Sequence, residues 1–302
     1  MAGRGGSATE IDEGLIVRLL QEQAPQLAGL PVVWVKDGWD NAVWRLGDAL
    51  AVRLTRRAVA VDLHRHEQRW LPTLGPGLPL PVPVPVIVGV PSVRFPWPWT
   101  VVPWFEGDSA ALAPPHPREA RALGAFLTAL HVPAPEGVMA NPTRGGPLAS
   151  RLAAMTMWAE QPLSSGDEIL IADAVAVFNA GLLVAAGTER VWIHGDLHPR
   201  NVLVSRGHLS AVLDWGDVTA GDPATDLAAL WWLFDLDVHG DFWAAYHTGS
   251  PATWHRARAW AALFGLSFLS FGLPDHPTMP DTQAHELGRR QLRRVVAEQQ
   301  PP

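Results

Sequence analysis

The apolar pattern of this chain changes character near Pro103, and that change limits what the chain can fold into. Before that proline, PVVWVKDG, AVWRLG and LAVRLT are short, rich in valine and tryptophan, and separated by GWDN and GD, which read as turns between antiparallel strands. WTVVPW reads as one more strand. PLPVPVPVIVGV alternates proline with apolar residues, so its proline half cannot donate ladder hydrogen bonds and belongs in an extended run or at a sheet edge. Helical spacing appears at 9–28, through Ile11, Leu15, Ile16, Leu19 and Leu20, and at 57–71, through Val59, Leu63, Trp70 and Leu71. Beyond Pro103 helices are predicted at 117–131, 147–160, 167–186, 223–234, 239–247, 253–271 and 281–298, with one strand-like block at 191–214. A small sheet followed by a larger set of helices is an α+β arrangement, expected to divide into a first lobe at 1–103 and a second at 104–302.

Composition narrows the function classes. The 302 residues are 48% hydrophobic and 18% charged, a globular balance rather than a disordered one. A formal charge of −7 argues against a general nucleic-acid binder, which needs a basic face to displace counterions from phosphates. The absence of cysteine excludes disulfides, thiolate metal sites and thiol catalysis. The opening MAGRGGSATEIDEG lacks the apolar core of a signal peptide, and WAALFGLSFLSFGL at 260–273 is too short to cross a bilayer. A cytoplasmic protein with no membrane, nucleic-acid or obligate protein partner is expected. Lys36 is the sole lysine, so almost every side-chain cation is arginine.

Chemistry concentrates in HGDLHPRN, residues 194–201, between the apolar runs VWI and VLV. A solvated surface turn is the plain reading of so polar a stretch. The next segment, VLVSRGHLSAVLDWGD, offers two more strand-like runs and ends in Asp214-Trp215-Gly216-Asp217. Asp196, Asn201 and Asp214 thus stand at the ends of short strands, and their hard oxygen donors suit Mg²⁺ and poorly suit zinc. Magnesium points to a phosphate substrate, and phosphoryl transfer wants a carboxylate beside the attacking hydroxyl, a task for Asp196. His194 and His198 are not on the helix that an i,i+4 zinc pair occupies, and no third ligand is evident, so His194 reads as a brace for the loop.

The order HGDLHPRN then DWGD is similar to the protein-kinase series H-R-D-L-x-x-x-N then D-F-G. With Gly195 and Trp215 in their places it resembles the aminoglycoside phosphotransferase family more closely, as do GDPATDLA at 221–228, DNAVWRLGDALAVRLTRR, and HEQRWLPTLGPGLPLPVPVPVIVG. The resemblance spans roughly residues 31–230. It implies a protein-kinase-like two-lobe fold and transfer of the γ-phosphate of ATP or GTP to an alcohol, with Mg²⁺ as cofactor and a small hydroxylated acceptor.

Residue by residue, the resemblance makes Asp196 the catalytic carboxylate, Asn201 and Asp214 the metal ligands, and Asp226 the support of the catalytic loop. Arg53 stands where the family usually has a phosphate-binding lysine, with Glu67 as its helix partner. Arginine keeps the charge but presents a planar fork. One glycine remains in Asp37-Gly38-Trp39-Asp40-Asn41, so phosphate contact is expected from backbone amides near Asp40, Asn41 and Ala42. The nucleotide base is expected against the backbone around Val102 to Trp104, where Pro103 removes one donor.

For the acceptor, the resemblance implies an aminoglycoside, as in an antibiotic-resistance kinase, with Asp235, Asp237, Asp241, Asp275 and Glu286 available to form an acidic cleft; the alternative is a macrolide, choline, homoserine or sugar kinase, all of which share the same motifs. A nucleotide-binding pseudoenzyme is the alternative from another class. Among remaining residues, His64 and His66 read as solvated, Asp217 and Asp222 as caps, Trp231 and Trp232 as core, and Trp158, Trp243 and Trp254 as possible acceptor contacts.

Overall fold

The computed structural model describes residues 11–138, 141–161, 166–185, 190–272 and 281–301. The chain forms two compact units, the first made of Met1–Gly77, Pro81–Glu106 and Leu213–Gly216, the second of Leu78–Leu80, Gly107–Val212 and Asp217–Pro302.

The first unit opens with helix α1 (Glu13–Gln23), whose first turn is capped by Asp12: its Oδ1 accepts the Leu15 N–H at 2.6 Å. Strands β1 (Val32–Asp37), β2 (Asn41–Leu46) and β3 (Leu50–Thr55) form the expected meander. Helix α2 (Val61–Leu74) follows, then β4 (Ile87–Gly89) and β5 (Trp99–Pro103). The antiparallel sheet runs β1-β2-β3-β5-β4, so the proline-rich segment feeds an edge strand, where missing N–H donors cost least. Leu15, Ile16, Leu19 and Leu20 of α1 pack with Leu46, Val52, Leu54, Phe95, Trp99 and Val101. Burial of each large apolar side chain contributes about 1.5–3 kcal/mol, and the i, i+3/i+4 spacing of α1 is what aims four of them at one face.

The second unit contains β6 (Asp108–Ser109), α3 (Ala120–Leu130), α4 (Leu152–Ala159), α5 (Glu168–Leu182), β7 (Val191–Ile193), β8 (Val202–Ser205), β9 (His208–Val212), β10 (Thr219–Gly221), α6 (Ala224–Leu227), α7 (Ala229–Leu233), α8 (His239–Ala245), α9 (Pro251–Ser270) and α10 (Thr282–Ala297). Its spine is α9, which packs on α5 and α10 and buries Trp254, Ala257, Trp260, Leu263, Leu266 and Leu269. The α9–α10 approach is close enough that a Cβ at Gly288 would stand 2.5 Å from the Gly265 carbonyl oxygen. Two small β elements, β10-β7 and β6-β8-β9, flank the loop at 194–201.

Several sequence expectations need correction. The helix expected at 223–234 is two short helices, meeting at Ala228 with φ −55° and ψ −22°; the chain tightens there toward 3-10 geometry rather than reversing. Strands β6 and β10 escaped prediction because two or three residues carry no periodicity and their pairing is non-local. His64 is buried, not solvated: its ring lies between Thr55 Oγ1 (2.9 Å) and Thr100 Oγ1 (3.1 Å), pinning α2 to β3 and β5. Trp254 is also buried and unable to meet an acceptor, whereas Trp231 and Trp232 lie in the core as expected. Among the described residues no helix is long and apolar enough to cross a membrane.

Candidate active site

The loop at 194–201 is held from beneath by one carboxylate. Asp226, fully buried in α6, accepts the backbone N–H of His194 at 2.6 Å on Oδ2 and that of Gly195 at 2.8 Å on Oδ1. His131 at the end of α3 reaches the same Oδ2 at 3.3 Å and meets Tyr246 Oη through its other nitrogen at 2.8 Å. A buried carboxylate with this many donors is satisfied, and it fixes the start of the loop. Gly195 has φ +86°, and a Cβ there would stand 2.8 Å from the Asp217 carbonyl oxygen. That position accepts glycine alone, which explains why the turn reads H-G-D.

The rest of the loop is held by its own polar side chains. His194 Nδ1 accepts the Asp196 N–H at 3.2 Å, and His198 Nδ1 accepts the Arg200 N–H at 3.2 Å, capping a 3-10 turn at Pro199–Asn201. His198 Nε2 lies 3.4 Å from Asp196 Oδ2. Asn201 Nδ2 donates to the Asp196 carbonyl at 2.9 Å, which directs its Oδ1 away from that bond. Arg200 turns the other way, to Asp281 and Gln283.

Arg144 was missed by the sequence reading. Its guanidinium lies 2.6 Å from Asp196 Oδ1 and 3.9 Å from Asp217 Oδ2, above the Phe264 ring at 5.3 Å. Burial works to raise the Asp196 pKa, but Arg144 first, then His198 and His194, outweigh it and hold the carboxyl well below the usual carboxylate range. Asp196 is therefore ionised throughout the neutral range. The only sequence signal for Arg144 was a polar Asn-Pro-Thr-Arg-Gly-Gly turn with no motif spacing.

In the first unit, Arg53 on β3 and Glu67 on α2 form a buried bidentate ion pair, its second contact at 3.1 Å. Asp214 belongs to this unit too and places Oδ1 3.8 Å from Arg53, with its side chain about half exposed and φ +63°. Burial disfavours the Arg53 charge, yet Glu67 and then Asp214 more than offset it, so its pKa stands above the ordinary arginine value. The segment carrying Asp214 rests on α2, where a Cβ at Gly216 would sit 3.3 Å from Leu63 Cβ.

The β1–β2 turn is closed by Gly38 N–H donating to the Asn41 carbonyl at 2.8 Å. Arg56 N–H bonds the Asp40 carbonyl, Arg57 lies 3.8 Å from the Asp40 carboxylate, and Trp39 is exposed beneath Arg57. Asn41 Oδ1 is buried without a hydrogen-bond partner. Val102 is buried in β5, and the Trp104 N–H is already given to the Ala49 carbonyl at 2.8 Å, which leaves that amide unable to read a base.

The amide oxygen of Asn201 in the second unit and the carboxylate of Asp214 in the first are each hard oxygen donors of the kind that suits magnesium. Among the described residues no group of three or more His, Asp or Glu side chains could hold a metal by itself. Of the acids expected to line a cationic cleft, Asp235 pairs with Arg294, Asp241 with Arg121 and Glu286 with Arg289. Asp237 is exposed, and Asp275 lies outside the described residues. Asp217 accepts Asn141 Nδ2 at 2.6 Å; Asp222 accepts the Ala224 N–H at 3.0 Å and pairs with Arg256 at 2.6 Å.

The family model described as "Phosphotransferase enzyme family", APH, matches residues 33–260. No curated protein matches the sequence. Among solved structures, the GDP complex of wild-type aminoglycoside 2'-phosphotransferase-IIIa superposes with a TM-score of 0.70 at 16% identity, covering 95% of this chain and 99% of that one. The GDP and kanamycin complex of APH(2")-IIia gives 0.68 at 19%, covering 93% and 98%. Macrolide 2'-phosphotransferase MphH from Brachybacterium faecium gives 0.61 at 23%, covering 92% and 97%. At these identities the likeness concerns the fold.

Proposed function

Because the chain belongs to the APH phosphotransferase enzyme family, we propose that it transfers the γ-phosphate of ATP or GTP to a hydroxyl of a small acceptor, with Asp196 as the carboxylate that orients that hydroxyl. The observation that carries this reading is the loop at 194–201. Asp226 anchors its backbone, Asn201 is tied to the Asp196 carbonyl, and the Asp196 carboxylate is kept ionised.

In the proposed reaction Arg53, held by Glu67, binds the nucleotide phosphates through its fork. Asn201 and Asp214 are the residues offered to Mg²⁺, which when bound neutralises charge on the transferring phosphoryl group. Asp196 Oδ1 is occupied by Arg144, so the acceptor hydroxyl donates to Oδ2, beside His198 Nε2. Such a site acts mainly by positioning and charge stabilisation.

The acceptor divides two readings. Solved structures of similar fold hold kanamycin or are macrolide enzymes. For an aminoglycoside, Asp235, Asp241 and Glu286 each stand in an exposed ion pair with an arginine, which an ammonium group would have to displace, and Asp237 is exposed. An acceptor with an apolar face is favoured by Phe268, which is only partly buried and whose ring lies 5.1 Å from His198 beside the loop.

The test is nucleotide consumption with Mg²⁺ across aminoglycosides, macrolides and hydroxylated metabolites, with Asp196→Ala as control. Acceptor-dependent turnover that the variant loses, while nucleotide binding persists, is the expected result. Undiminished turnover in Asp196→Ala refutes the assignment, and nucleotide binding with no turnover on any acceptor favours the pseudoenzyme.

A further inference from the structure

Nothing in the proposed reaction requires a cation on Asp196, yet Arg144 is built to sit there. The turn that carries it is organised by Asn141, whose Oδ1 accepts from Thr143 N–H (3.0 Å), Thr143 Oγ1 (2.8 Å) and Arg144 N–H (3.1 Å). Asn141 in turn fastens the turn to the core of the unit, through Nδ2 to Asp217 (2.6 Å) and N–H to Thr219 Oγ1 (3.1 Å). The Arg144 carbonyl accepts from Thr225 Oγ1 at 3.3 Å, one residue before Asp226. A Cβ at Gly195 would come within 3.1 Å of Arg144 Cβ, so the turn lies directly on the catalytic loop. These bonds fix the backbone that carries Arg144, so its guanidinium reaches Asp196 from an anchored turn.

The charge pattern follows. Asp196 and Asp217 are the two carboxylates that an ammonium group beside the reacting hydroxyl would seek, and Arg144 already serves both. Arg151 adds to the effect: it is half-buried, its Nε is buried without a hydrogen-bond partner, and it stands close enough to Arg144 for the two to repel.

We propose that Arg144 is a specificity-determining residue that fills the Asp196–Asp217 carboxylate pair with the protein's own cation and so selects acceptors that are uncharged or anionic next to the hydroxyl that is phosphorylated. This rests on the reading of Asp196 as the residue that meets the acceptor. It makes the substrate class one in which ammonium groups are absent from that neighbourhood, because a like charge placed there meets a filled ion pair and a fixed guanidinium.

Calorimetric titration of kanamycin, a polyammonium probe, into the wild-type chain, Arg144→Gln and Arg144→Lys tests this, with Mg²⁺–ATP binding and the melting profile followed alongside. Arg144→Gln is expected to bind kanamycin about tenfold or more tightly than wild type, with the gain lost at high salt, and Arg144→Lys is expected to behave as wild type. Equal affinity of wild type and Arg144→Gln, or an equal gain in Arg144→Lys, overturns the proposal. Should Arg144→Gln not fold, wild type decides: kanamycin affinity in the low micromolar range that falls steeply with salt overturns exclusion, and weak, salt-insensitive binding supports it. None of these readouts depends on turnover, so loss of the kinase reading in the Asp196→Ala assay remains a separate result.

Discussion

At the scale of single residues, buried charge and buried histidine carry the most testable consequences. Glu67 holds Arg53 in a pair buried on both sides, and removing one member leaves the other charge without compensation. Glu67→Ala is expected to cost about 3–5 kcal/mol of stability and to weaken nucleotide binding, whereas Glu67→Gln keeps an amide oxygen that accepts from the Arg53 guanidinium and loses less. Denaturant melts and a nucleotide titration on both variants check this.

His64 gives a pH dependence of definite sign. Burial, and then Arg53, press its pKa down to about 3, while the unfolded chain titrates near the ordinary value of about 6.5. Above that value neither state is protonated and the contribution is constant. Between it and about 3 only the unfolded state takes the proton, so stability falls as pH falls, approaching about 1.4 kcal/mol per pH unit from this group. Melting temperatures of wild type and His64→Asn from pH 8 to pH 5 should converge on the acid side; parallel curves would rule out a buried neutral His64.

At the scale of elements, ends and loops matter more than helix interiors. The long α9 starts at Ser250, whose Oγ accepts the Thr253 N–H at 3.1 Å, with Pro251 in its first turn. Ser250→Ala is expected to cost about 1 kcal/mol, read as a shift in the denaturation midpoint with unchanged slope. A near-zero shift would mean that the α9–α10 packing sets the helix start by itself. The loop at 194–201 works differently: its anchors are Asp226 and His131, far away along the chain, so its geometry depends on α6 and α3 being docked.

At the scale of the whole molecule, a nucleotide that binds only the folded chain stabilises it by mass action, about 2.7 kcal/mol at a hundredfold excess over Kd. Mg²⁺–ATP or Mg²⁺–GTP is therefore expected to raise the melting temperature, and Arg53→Ala to reduce that rise. An equal rise in wild type and Arg53→Ala would remove Arg53 from the phosphate site.

The sequence by itself determined what local chemistry dictates. The valine-rich strands, the edge position of the proline-rich run, the helical stripe of α1 and the order HGDLHPRN, DWGD, GDPATDLA were all legible, because strand alternation, turn residues and a compact motif are properties of adjacent residues. The Arg53–Glu67 pair also came through, carried by the family resemblance, which sets a strand cation against a helix glutamate. Tertiary structure alone decided that Arg144 caps Asp196, that His131 and Tyr246 complete the Asp226 network, that arginines pair with three of the acids expected to line a cationic cleft, and that His64 is buried. Each of these joins segments with no shared periodicity. Partner choice among twenty-two arginines and thirty acidic side chains is settled only when packing brings particular ones within ion-pair distance.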